Sequence, residues 1–256
     1  MRLRFLGTGT STGNPEIGCK CRVCTSTDKK DYRFRSSALL EIEDKQLLID
    51  CGPDFRVQML EALKTFPFKK LDGVLITHEH YDHVGGLDDL RAYCKFGVVD
   101  IYAETYVVEA VKSRIPYAFM DVKYPGVPNL RMNPIEFSEA FMIQNIPVVP
   151  VRLMHGPLPI LGYRIGEVAY LTDLKTIPEE EYTKLQNLDV LIINALREKE
   201  HLSHETLEDA LKNIERIRPG KAYLIHMSHT FGLHEEIQKT LPRNVFIAYD
   251  GLEIYV

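Results

Sequence analysis

No apolar run among the 256 residues approaches the ~18 to 20 residues that a membrane-spanning helix needs. The opening Met1-Arg2-Leu3-Arg4-Phe5-Leu6 is also short of the apolar stretch of a secretory signal, so the cytoplasm is the expected compartment. No block of lysines and arginines dominates any segment, and 31 basic against 36 acidic residues leave a net charge of −5. That balance argues against tight binding of long nucleic acid while leaving room for a small phosphorylated substrate. Cysteines number only five, an odd count that does not suit a disulfide framework. The run Gly7-Thr8-Gly9-Thr10-Ser11-Thr12-Gly13 lacks the Gly-Lys-Ser/Thr ending of a nucleotide P-loop and reads as tight turns. Linkers, repeats and low-complexity tracts are missing too. With 45% hydrophobic and 26% charged residues, disorder, collagen and coiled coil are excluded, and one folded domain over residues 1–256 is expected.

What is present alternates in period. Leu3 to Leu6, Ala38 to Ile42, Gln46 to Asp50 and Gly73 to Thr77 read as strands, the second and third as a hairpin about Glu43-Asp44-Lys45. Phe55, Met59, Leu60 and Leu63 recur at helical spacing after Pro53-Asp54, and the segment from His83 to Tyr93 also reads as helical. The stretch from Tyr124 to Pro134, with three prolines, reads as a surface loop. Phe137 to Val151 and Tyr163 to Leu171 are strand-rich, the latter turning near Gly166-Glu167. Leu207, Leu211, Ile214 and Ile217 then keep helical spacing, Tyr223 to Ile225 is strand-like, and Ile237 to Leu241 is helical. Two strand-rich halves, each followed by helices, predict two stacked sheets flanked by helices.

The strongest local signal is Thr77-His78-Glu79-His80-Tyr81-Asp82-His83, where three imidazoles and a carboxylate follow an apolar strand directly. In extended chain His78 and His80 point the same way, and Asp82 and His83, at the turn into a helix, aim at a neighbouring point. Such a segment can hold two metal ions side by side. Separately, Cys19-x-Cys21-x-x-Cys24 suggests thiolate ligands, while Cys51 and Cys94, isolated in apolar surroundings, read as inert buried thiols.

This His-x-His-x-Asp-His stretch, followed by Gly85-Gly86-Leu87, resembles the signature of the metallo-β-lactamase superfamily of binuclear hydrolases, over nearly the whole chain. The resemblance implies an α+β fold, a four-layer αββα sandwich. It implies that His78, His80 and His155 hold one ion and Asp82, His83 and His226 the other, with Asp173 and a water bridging and Asp50 supporting the loop from behind. An aspartate at 173 is similar to the phosphodiesterase-like branches rather than to the antibiotic-hydrolysing enzymes. Within the superfamily the chain most resembles the phosphodiesterases accessory to the carbon-phosphorus lyase pathway, the PhnP-like family, and next tRNase Z. The PhnP-like resemblance implies a closed structural zinc site of Cys19, Cys21, Cys24 and His229. The segment from His201 to Leu207 resembles the one that carries a proton-donating histidine, which implies His204 as donor and His201 as a supporting or substrate-binding group. Ala248-Tyr249-Asp250-Gly251-Leu252 also resembles the family and carries no assigned role, and His234 reads as a solvated helix residue.

The expected activity is hydrolysis of a small or cyclic phosphodiester, such as a ribosyl cyclic phosphate, to a phosphomonoester. Its catalytic residues are His204 and Asp82, its cofactors two Zn2+ or Mn2+ ions plus one structural Zn2+. The expected partner is the small diester, with no membrane and no long nucleic acid, and relatives often pair as homodimers. A tRNA 3′ processing nuclease is the nearest alternative, weakened because no long basic or Gly-Pro-rich arm is present. A lactone or thioester hydrolase would use the same metals. A metal-holding scaffold without turnover would not need every ligand position filled.

Overall fold

The computed structural model describes residues 1–120 and 124–256. The first sheet runs in the order β14-β1-β2-β3-β4-β5-β6, built from β1 (Arg2–Gly7), β2 (Ser37–Ile42), β3 (Lys45–Ile49), β4 (Gly73–Leu75), β5 (Val99–Ala103), β6 (Leu130–Pro134) and β14 (Glu253–Tyr255). The second runs β13-β12-β11-β10-β9-β8-β7, from β7 (Phe141–Ile143), β8 (Ile146–His155), β9 (Leu158–Ile165), β10 (Val168–Leu171), β11 (Val190–Asn194), β12 (Lys221–Ile225) and β13 (Val245–Ile247). Helices α1 (Phe55–Ala62), α2 (Tyr81–Val84), α3 (Thr105–Arg114), α4 (Leu207–Ile217) and α5 (His234–Gln238) connect and cover them.

Period-two alternation sets the layers. In β3, Leu47 and Ile49 point into an inter-sheet core with Leu3, Phe5, Leu75, Leu161 and Tyr163. The intervening Leu48 joins Phe55, Met59, Val74 and Val107 under α1 and α3. Across the molecule Leu171, Ile193 and Leu224 pack under Ala210, Ile214 and Ile217 of α4. The result is helix, sheet, sheet, helix, as expected from the two strand-rich halves. In each sheet antiparallel pairing gives way to parallel pairing, at β3/β4 and at β10/β11. The parallel strands therefore deliver their C-terminal ends to one rim.

Three local expectations change. Leu130–Pro134 is a strand paired with β5 at the sheet edge, where a terminal proline forfeits no ladder bond. The segment from His83 to Tyr93 is not one helix: α2 ends at Val84 and a 3₁₀ stretch begins at Leu87. At the break the Gly86 amide donates to the Cys51 carbonyl at 2.8 Å instead of continuing the helical ladder, and only glycine fits there, because a Cβ would lie 2.1 Å from the carbonyl oxygen of Gly52. The last helix starts at His234, and that histidine is buried, its Nδ1 3.3 Å from Nη2 of the buried Arg33, rather than solvated. Among the described residues no helix is long and apolar enough to cross a membrane.

Candidate metal centre

Five strand ends supply the site. Asp50 follows β3, the histidine loop follows β4, Asp173 follows β10 by two residues, and His226 follows β12. His155 is the last residue of β8. Asp50, Asp173 and His226 all leave their strands in the left-handed region, with φ of 58°, 58° and 56°. A side chain there costs about 1–3 kcal/mol, and the surrounding packing must hold it. Part of that packing is visible across the sheets: Tyr163 donates its hydroxyl to the carbonyl of Ile76 at 2.6 Å, and the Leu161 amide to Thr77 at 3.0 Å. Behind the loop, the Cys51 amide donates to His83 and the Gly86 amide to Cys51, each at 2.8 Å.

Asp82, His83, Asp173 and His226, all buried, offer ligand atoms that lie within 4.8 Å of one another. His83 Nε2 is 3.1 Å from Asp82 Oδ2 and 3.3 Å from Asp173 Oδ2. His226 Nε2 is 3.0 Å from Asp173 Oδ1 and 3.6 Å from Asp82 Oδ2. Short as these separations are, none has hydrogen-bond geometry: Nε2 of His78, Nε2 of His83 and both nitrogens of His226 are buried without a hydrogen-bond partner among the described residues. Orphaned ring nitrogens and carboxylates converging on one point form the donor set a divalent cation satisfies. Burial pushes the carboxyls of Asp82 and Asp173 up, but the neighbouring His83 and His226 outweigh it and hold both below the ordinary range.

Asp50 sets the loop behind this cluster. Its Oδ2 lies 2.7 Å from His83 Nδ1, and its Oδ1 accepts the Thr77 amide at 2.9 Å. The Thr77 hydroxyl, 3.0 Å from Asp50 Oδ2, also stands 3.0 Å from His78 Nδ1. With Nδ1 engaged, Nε2 of each ring is the nitrogen left to face inward.

The rings of His78, His80 and His155 form a triangle with centroids 4.5, 5.2 and 5.7 Å apart, and the His78 ring is also 4.3 Å from that of His83. His155 Nδ1 donates to the carbonyls of Asp173 at 2.6 Å and Ser203 at 2.9 Å, which turns its Nε2 inward. His204 joins this group: its ring is 4.5 Å from His155, stacks on His226 at 5.0 Å, and its Nε2 lies 3.2 Å from Asp173 Oδ1. His155, Asp173 and His204 thus form a second set of ligand atoms within 4.8 Å. Burial lowers His204 to about 4 against the pull of Asp173. His201 stands behind it, Nδ1 to Nδ1 at 3.1 Å, with the Ser203 hydroxyl 3.4 and 3.2 Å from the two rings. The loop then enters α4 through a capping box: Thr206 is the N-cap, exchanging hydrogen bonds with Asp209 at 3.1 and 3.2 Å.

A third cluster lies in the N-terminal loop. Cys19, Cys21, Cys24 and His229 bring their ligand atoms within 4.8 Å of one another, with His229 Nδ1 3.3 Å from Cys19 Sγ and 3.4 Å from Cys21 Sγ. Glu16 Oε2 lies 2.9 Å from His229 Nε2. The Cys24 amide draws the Cys21 thiol down to about 6, whereas burial pushes Cys24 up to about 12. Three thiols and an imidazole at such range are the set a tetrahedral zinc ion takes. Cys51 is buried, with its thiol raised by burial, and Cys94 is half-buried.

The supports Thr77, Ser203 and Asn194 were not singled out from the sequence. Asn194 carried a signal in retrospect, as a buried polar residue closing the apolar run Val-Leu-Ile-Ile.

The model of the β-lactamase superfamily domain matches residues 45–227. A solved structure described as a new diphosphatase from the PhnP family is 36% identical, with a TM-score of 0.91, over 100% of this chain and 97% of that one. An octanoyltransferase of Porphyromonas gingivalis is 47% identical over 258 residues, which is 100% of this chain and 52% of that protein. Ribonuclease Z of Bacillus subtilis is 30% identical over 167 residues, covering 65% of this chain and 49% of the enzyme. The chain spans about half the length of these two curated relatives.

Proposed function

The chain belongs to the metallo-β-lactamase superfamily and is a metal-dependent hydrolase, and from that premise we propose that it is a binuclear phosphodiesterase acting on a small or cyclic phosphodiester such as a ribosyl cyclic phosphate. One observation carries the reading: Asp173 is shared by two sets of ligand atoms, one with Asp82, His83 and His226 and one with His155 and His204, and its Oδ1 lies 3.2 Å from His204 Nε2. His78, His80 and His155 would hold one ion, Asp82, His83 and His226 the other, and Asp173 would serve both. Zinc or manganese suits these nitrogen and oxygen donors, and zinc the Cys19, Cys21, Cys24 and His229 site. The likeness to the PhnP-family diphosphatase supports the phosphoester class.

When bound, the two cations supply charge neutralisation for the phosphoryl group and a water activated near neutral pH. The protein's own groups do the rest. Asp50 and Thr77 fix the ring planes of His83 and His78, so that both Nε2 atoms face the reaction centre. His204 places Nε2 beside Asp173, where it hands a proton to the departing alkoxide. The negative charge of a diester seated against that nitrogen opposes the burial that lowers it. His201 and Ser203 hold the opposite edge of the His204 ring.

A second reading is favoured by the whole-chain identity with the P. gingivalis octanoyltransferase: hydrolysis of an acyl ester or thioester by the same centre. This chain covers 52% of that protein, so its acyl transfer is not carried over. The test is a substrate panel on the metal-loaded protein: bis-p-nitrophenyl phosphate, cyclic nucleotides, a ribosyl cyclic phosphate, a tRNA precursor and an octanoyl thioester. Turnover of small diesters to monoesters, lost in His78→Ala, supports the phosphodiesterase. Turnover confined to the thioester or the tRNA precursor overturns it.

A further inference from the structure

Between β10 and β12 lies a side chain that the mechanism above does not use. Asn194 is the last residue of β11 and is fully buried. The parallel ladder between β10 and β11 stops at Leu171 opposite Ile193. Past that point the chain turns through Asp173 in the left-handed region and cannot continue the ladder with backbone alone. Asn194 supplies the missing rung with its amide. Its Oδ1 accepts the Leu174 N–H at 2.8 Å, and its Nδ2 donates to the Leu174 carbonyl at 3.1 Å. Both hydrogen bonds close on the residue next to Asp173.

The same Leu174 carbonyl also accepts the Glu205 amide at 2.9 Å. Glu205 follows His204 directly and is itself tied to α4, where Asn213 donates to its carboxyl, which burial raises well above the usual carboxylate range. Asn213 is held in turn by the Tyr182 hydroxyl at 2.6 Å. One peptide unit therefore joins the Asp173 turn to the loop that carries His204, and Asn194 is the only side chain among the described residues that grips both its N–H and its C=O.

We propose that Asn194 is a positioning residue: by clamping Leu174 it sets the Asp173 carboxylate between the two ion sites and fixes its separation from His204. The inference rests on the phosphodiesterase reading for its catalytic consequence and on geometry alone for its structural one. Loss of an outer support of this kind costs about 10–100-fold in metal affinity or activity.

Two variants test it. Asn194→Leu removes both hydrogen bonds, whereas Asn194→Asp keeps the acceptor for Leu174 N–H and removes the donor. Amide exchange across residues 172–176 is followed in the metal-free protein. Zinc content at the thiolate site and far-ultraviolet circular dichroism check folding, and kcat and KM are measured on bis-p-nitrophenyl phosphate. Expected are faster exchange at Leu174, more so in Asn194→Leu than in Asn194→Asp, and a fall in kcat of about 10–100-fold with little change in KM. Unchanged exchange in a folded Asn194→Leu overturns the proposal. So does faster exchange with wild-type kcat. If the unaltered protein turns over no diester, the phosphodiesterase reading fails by itself, and the exchange data, with metal affinity of the binuclear pair replacing kcat, still decide the clamp.

Discussion

Asp50 meets His83 with Oδ2 2.7 Å from Nδ1, a buried contact between a residue at the end of β3 and one in α2, 33 positions later. That contact leaves the other edge of the His83 ring to face Asp82 and Asp173.

Breaking it with Asp50→Ala removes the acceptor for Nδ1 and for the Thr77 amide together. The expected result is a loss of about 10–100-fold in affinity for the binuclear metals, with the thiolate zinc retained. Competition with a chromophoric chelator measures both in one titration.

His204→Ala is expected to lower kcat according to the leaving group. A poor leaving alkoxide needs the proton, so hydrolysis of a ribosyl cyclic phosphate falls by about 10²–10⁴-fold. A p-nitrophenolate departs without help, and bis-p-nitrophenyl phosphate loses far less. Equal losses on both substrates count against His204 as donor.

How much of this was readable beforehand depends on range. The ligand candidates were legible because the residue types that bind metals cluster in sequence, as in His78 to His83, or sit at the ends of apolar runs, as Asp173 and His226 do. Their outer supports were not, since Thr77, Ser203 and Asn194 are common residue types whose meaning comes from partners 27, 48 and 20 positions away. The helix read across Gly85-Gly86 failed for the same reason, because the Cys51 carbonyl that takes the Gly86 amide belongs to another segment. His234 looked like a surface residue because its buried partner Arg33 lies 201 positions earlier.

His229→Ala or Cys21→Ser is expected to release one zinc per chain and lower the melting temperature, because the site ties the N-terminal loop to the segment after β12. Elemental analysis of the variants beside the unaltered protein, with differential scanning calorimetry, checks this. Full zinc content in both variants contradicts it.

Asp250 links stability to pH. Burial raises its carboxyl to about 7 from an ordinary value of 3.8, against hydrogen bonds from Thr8 and Phe34 at 2.7 and 2.6 Å. A carboxyl raised on folding binds more protons in the native state, so its contribution to stability is present at acid pH and is lost as pH climbs towards 7. Melting temperatures measured from pH 4.5 to 8 should therefore fall more steeply in this window for the unaltered protein than for Asp250→Asn. Identical slopes contradict the assignment.

The central claim is that Asp173 stands between two cations. Anomalous diffraction from crystals grown with zinc, recorded on both sides of the zinc edge, tests it most directly. The account predicts two peaks flanking the Asp173 carboxylate, one among His78, His80 and His155 and one among Asp82, His83 and His226, and a third at the cysteines. A single peak in the pocket, or two peaks with Asp173 in contact with neither, contradicts it.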